Sequence, residues 1–129
     1  MFNIANNGII TITRGDTFTT SIFINLGTEL DPKQGILQDG DLVCFALCEP
    51  NQPFEHAILK KVMTNKDLDE NNNVILEFKH NDTQFLLPGV YYYQIKAYFP
   101  YGTVSDEESR IRDAEVHTII PKTKFIIVE

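Results

Sequence analysis

The chain has 129 residues, of which 43% are hydrophobic and 22% charged. That is enough apolar surface for one packed core, too little chain for several domains, and a balance that excludes global disorder. With 11 Lys and Arg against 18 Asp and Glu the formal net charge is -7, so phosphate backbones and anionic bilayers repel the molecule, and neither nucleic acid nor membrane is an expected partner.

Met1 to Asn7 carries neither a basic n-region nor a continuous apolar stretch, and no later run reaches the roughly 18–20 apolar residues that a bilayer span needs. The expectation is a chain that is intracellular when made. Gly8-Ile9-Ile10-Thr11-Ile12-Thr13 is β-branched and predicts a first strand, ended by the turn triplet Arg14-Gly15-Asp16. Next, Phe18, Thr20, Ile22 and Ile24 alternate with Thr17, Thr19, Ser21 and Phe23, the period of a strand with unequal faces. Asn25 to Gly40, punctuated by Gly27, Pro32 and Gly35, reads as a long connection.

Leu42 to Cys48 is almost continuously apolar, as in a strand covered on both sides or seated on a subunit contact, and Val43, Phe45 and Leu47 are assigned to the core. Cys44 and Cys48 lie about 13 Å apart along such a strand, beyond the roughly 7 Å reach of a disulfide, so two free thiols in a reducing compartment are expected. Ala57 to Met63 is a weaker strand whose Lys60 and Lys61 suit a protected edge. A polar turn from Asn65 to Asn73 precedes another alternating strand with Val74, Leu76 and Phe78 on one face.

His80 to Leu87 has room for one helical turn capped by Asn81 or Asp82. Leu87-Pro88-Gly89 then forces a corner into Val90 to Tyr98, the most β-prone run of the chain. Gly89 and Tyr91 are candidates for a tyrosine corner, in which the hydroxyl bonds back to the chain the strand has just left. Asp106 to Glu115 reads as a solvated loop. Val116 to Ile120 and Lys124 to Val128 form a last strand kinked or bulged at Pro121, which has no ladder donor. Seven or eight short strands with almost no helical periodicity predict an all-β, antiparallel β-sandwich spanning residues 1–129 as one domain.

The chemistry-bearing residues offer little for catalysis. Arg14-Gly15-Asp16 is the tripeptide that integrins read, but tight-turn chemistry is the better account of it: Gly allows the turn and Asp caps it. His56, His80 and His117, with Cys44 and Cys48, lack any metal-ligand spacing. Asp67, Asp69, Asn71 and Asn73 alternate oxygens like a calcium loop, without its glycine or its final glutamate. Ser21, Ser105 and Ser109 stand in no Gly-x-Ser-x-Gly elbow. No catalytic residue, metal or cofactor is assigned, and no enzyme activity is expected. Tyr92, Tyr98, Phe99 and Tyr101 are the interaction candidates, because aromatic residues with a polar edge favour protein and sugar interfaces. Tyr92 faces opposite to Tyr91 and Tyr93 along a strand, so one of the two sides lies away from the core.

The order of these signals carries a resemblance. Ile-Thr-Arg-Gly-Asp-Thr before an alternating strand comes first, then Asp39-Gly40-Asp41 leading into the strand with Phe45. Asp82-Thr83 and Leu87-Pro88-Gly89-Val90-Tyr91-Tyr92-Tyr93 follow, and then His117-Thr118-Ile119-Ile120-Pro121 and Lys124-Phe125-Ile126-Ile127-Val128-Glu129. Together they resemble the small immunoglobulin-like structural proteins of tailed bacteriophages and prophages, over nearly the whole chain. The resemblance implies an immunoglobulin-like β-sandwich made in the bacterial host cytoplasm and residing in the virion. It would pack without catalysis against other virion proteins, as a homo-oligomer or in multiple copies, at the tail or baseplate, the head-to-tail connection or the capsid surface. The competing expectation is a carbohydrate-binding or host-recognition module with Tyr92, Tyr98 and Tyr101 as a stacking platform.

Overall fold

A computed structural model describes residues 2–100 and 114–129. Among them the chain runs through β1 (Phe2–Ile4), β2 (Ile10–Thr13), β3 (Phe18–Ile22), β4 (Leu42–Cys48), β5 (Leu59–Met63), β6 (Val74–Phe78), β7 (Gly89–Pro100) and β8 (Ala114–Val128), with one α-helical turn, α1 (His80–Thr83), between β6 and β7 and two 3-10 turns, Phe54–His56 and Asn65–Asp67, on either side of β5. Six strands form one mixed sheet in the order β1-β2-β8-β7-β4-β5, and β3 pairs with β6 in a second sheet. The fold is mostly β, as expected.

The expectation of antiparallel pairing throughout is corrected at one ladder. β2 and β8 run parallel, with Ile10 opposite Phe125 and Thr13 opposite Val128. Parallel neighbours need a long crossover, and here nearly the whole chain supplies it. The strand β1 is a second departure, because a run of three residues is too short to show a period. It folds back on β2 through a turn in which the Gly8 N–H donates to the Ala5 carbonyl at 2.9 Å.

Alternation decides which side chains meet between the sheets. Val43, Phe45 and Leu47 are fully buried, as assigned, and Tyr93, Ile95, Phe125 and Ile127 join them from β7 and β8. From the facing sheet come Val74, Leu76 and Phe78. Phe78 meets Phe45 edge-on with ring centroids 5.2 Å apart and lies 5.8 Å from Phe125, so one β6 side chain ties the two sheets together. Phe18 stacks on Phe78 at 4.5 Å, and Phe2 stacks on Phe18, which fastens β1 to the same cluster.

The turns are built by local polar groups. Gly15 has φ +82, its N–H donates to Thr83 Oγ1 at 2.9 Å, and its carbonyl meets His80 Nδ1 at 2.7 Å. Arg14 Nη2 donates to Glu129 Oε1 at 2.6 Å. Arg14 and Gly15 are thus tied into the fold rather than displayed on a free loop. In α1 the N-cap is Lys79, not Asn81 or Asp82; Asp82 acts from inside the turn, its carboxylate accepting the Lys79 N–H at 2.7 Å. The same carboxylate pairs with Lys61 Nζ at 2.6 Å, so one of the two edge lysines of β5 points inward and is neutralised there, one of the ways an edge strand is kept from pairing.

At the start of β7, Tyr91 Oη donates to the Leu87 carbonyl at 2.6 Å, and Gly89 sits at φ +153. This is the corner expected of these two residues. β8 is one strand, Ala114–Val128. Three steps along β7 from Tyr93 to Lys96 face five along β8 from Thr123 to Thr118, so β8 bulges across the stretch that holds Pro121.

Candidate functional site

The side chains on the outward face of the large sheet are set by register. Ala46 on β4 lies between Lys60 of β5 and Gln94 of β7, and Cys44 lies between Val62 and Lys96. The middle strand therefore offers two small side chains, and its neighbours offer long ones. The result is a trough of about 690 Å³ running along β4, walled by Lys60 and Val62 on one side and by Gln94, Lys96 and Tyr98 on the other, with Pro53, Phe54 and Glu55 also lining it. That volume falls within the range of ligand-binding clefts.

Its chemistry is polar at the walls and apolar at the floor. Lys60 is exposed and Lys96 half-buried, and among the described residues neither forms an ion pair. Burial, and then the nearby Cys44 thiol, pushes the Tyr98 hydroxyl above its ordinary range, so at neutral pH it is a hydrogen-bond donor and not a phenolate. Beside the trough, Cys48 is fully buried, with its Sγ donating to the Gln52 carbonyl at 3.5 Å. Burial raises that thiol, with Lys122 opposing, which leaves it protonated and a poor nucleophile.

The interaction candidates taken from the sequence separate in space. Tyr98 lines the trough. Tyr92 shares its face but stands six residues away along β7, about 20 Å, where the Lys122 ammonium lies 4.8 Å from its ring centre. Phe99 is on the opposite face, packed against the core and edge-on to His117 at 5.7 Å. Tyr101 lies outside the described residues. Gly89 and Tyr91 serve the corner. Sequence reasoning missed Lys96, Gln94 and Glu55 and gave Lys60 an edge role only. The available signal was the small pair Cys44 and Ala46 on the outward parity of an otherwise bulky strand.

The other constellations resolve into structure. Asp69 accepts the Asn73 N–H at 3.0 Å, the Ser21 hydroxyl at 2.9 Å and the Asn71 N–H at 2.8 Å. These bonds, the one from Asn73 foremost, hold its carboxyl below the usual range, and they organise the polar turn. His56 is exposed, His80 serves Gly15, and His117 Nε2 lies 2.9 Å from Glu115 Oε1. Among the described residues no three His, Cys, Asp or Glu side chains converge, and no helix is long and apolar enough to cross a membrane. A smaller cleft of about 240 Å³ opens between the sheets beside β3, lined chiefly by Ile4, Ile22, Ile95 and Ile120. It is continuous with the core, and none of its described lining residues is charged.

The chain has no match among protein-family models, curated proteins or solved structures.

Proposed function

We propose that the chain is a non-enzymatic structural module of a phage virion, an immunoglobulin-like β-sandwich that packs against other virion proteins in multiple copies. Two features support the immunoglobulin-like reading. The strand order β2-β8-β7-β4-β5, with β3-β6 in a second sheet, is similar to the strand order of variable-type immunoglobulin sandwiches. The tyrosine corner falls at the start of β7, where that fold carries it. The virion assignment is supported by the order of sequence signals across the chain.

The observation that carries the assembly reading is the outward trough beside β5, the edge strand of the large sheet. Side chains pointing away from the core, next to a strand paired on one side only, suit docking of another chain, and repetition in a particle lets weak single contacts suffice. Mass spectrometry of particles purified from a host carrying the gene tests this. The expected result is the chain at a fixed ratio to the other structural proteins; its absence from washed particles overturns the reading. The carbohydrate alternative draws on Tyr98 and Gln94 in the same trough, and predicts glycan-array binding that disappears in Tyr98→Ala.

A further inference from the structure

We propose that the trough along β4 binds an extended acidic peptide segment of a partner protein, held by Lys60 and Lys96. The inference rests on the assembly reading above and specifies its partner. Three observations carry it.

The first is charge. On a chain with 18 acidic and 11 basic side chains, the described lining residues of the trough include two lysines and one acid, Glu55. Neither lysine has an ion-pair partner among the described residues, whereas Lys61, next along β5, is engaged by Asp82 at 2.6 Å. A positive strip on a negative molecule attracts what the rest of the surface repels.

The second is shape. Cys44 and Ala46 make a floor that runs with the strand direction, and Val62, Pro53 and Phe54 give it apolar contact. A narrow channel with that floor takes a chain in extended conformation. The third is spacing. Lys60 and Lys96 stand two strands apart across the trough and two residues apart along it, about 7 Å along the floor, which is close to the separation of same-face residues two apart in an extended peptide. Gln94 and the protonated Tyr98 hydroxyl add hydrogen-bonding groups on the same wall.

The test uses the full chain, ¹⁵N-labelled, titrated with the acetylated peptide Thr-Val-Asp-Val-Asp-Val-Thr. Amide shifts are expected at Ala46, Lys60, Gln94 and Lys96, with affinity falling as salt rises. Lys60→Glu with Lys96→Glu should weaken binding by about tenfold. Ala46→Phe should block the floor without changing charge, and Glu55→Gln should tighten binding. All three variants alter outward side chains, and an unchanged thermal midpoint confirms folding. No binding, equal binding of the peptide with Lys in place of Asp, or shifts confined to another face overturns the proposal. So does stronger binding of sialyllactose at the same residues, which assigns the trough to an anionic glycan. A concentration-dependent dimer abolished by the double lysine variant assigns it to a second copy and equally overturns it. Failure to bind by a chain still present in particles removes this inference alone; absence from particles removes the assembly reading and leaves the binding result standing.

Discussion

Tyr93 shows how one side chain can serve two elements. Its ring fills the core against Phe45 and Phe125, at 5.5 and 6.1 Å between centroids, while its hydroxyl donates to the Gly8 carbonyl in the turn between β1 and β2. Burial pushes the phenol from 10.0 to about 12. A folded value above the unfolded one means that the native state holds its proton longer, so the stabilisation is complete below about pH 10 and is lost as pH rises toward 12. Tyr93→Phe keeps the ring and removes the bond. It should cost about 1 kcal/mol at pH 7, and the gap from the parent protein should narrow above pH 10. Denaturant titrations across that range measure both; a gap independent of pH would show that Tyr93 does not titrate in the window. The sequence marked Tyr91 for its corner, because Pro-Gly before a strand is a local pattern. It gave no sign of the Tyr93 bond, whose acceptor lies 85 residues away.

At the scale of elements, the turn between β2 and β3 is held by α1, an element distant in sequence. Gly15 occupies the left-handed region at φ +82, and a Cβ there would sit 3.2 Å from the His80 ring. Gly15→Ala should therefore destabilise by about 1–2 kcal/mol from backbone strain, and more where the ring cannot retreat. Urea unfolding measures it, and a neutral result would show that the turn relaxes freely. The alternating strands β3 and β6 were legible because a period of two is visible within five residues, and β4 because its apolar run is almost unbroken. The bulge of β8 was legible because proline lacks the ladder donor. The capping of α1 was misread in position, since Asp82 reaches back to Lys79 from within the turn, a pattern that residue type shares with a cap.

Across the whole molecule, stability depends on the aromatic contact between sheets. Phe78 touches Phe18, Phe45 and Phe125 and is 1% exposed. Phe78→Ala opens a cavity where the two-stranded sheet meets the six-stranded one, and should cost about 3–5 kcal/mol, a large part of the 5–15 kcal/mol that holds a typical domain together. Guanidinium titration with tryptophan-free detection, such as far-ultraviolet circular dichroism, checks it. A loss below 1 kcal/mol would mean that the small sheet is not held through this residue. Charge is also a whole-molecule property: the net -7 favours solubility and repulsion between copies, and the two trough lysines stand against that background.

By itself the sequence determined that this chain is β-rich, where most strands run, that Val43, Phe45 and Leu47 of β4 are buried and where the chain turns its corner. Each of these is written in neighbours a few positions apart, within reach of alternation, turn chemistry and proline's missing donor. Only the tertiary structure decided the parallel pairing of β2 with β8, the separation of Tyr92, Tyr98 and Phe99, and the trough itself. Those depend on which strands lie side by side and in what register, and register between distant segments is fixed by the packing of the whole core rather than by any local run of residues.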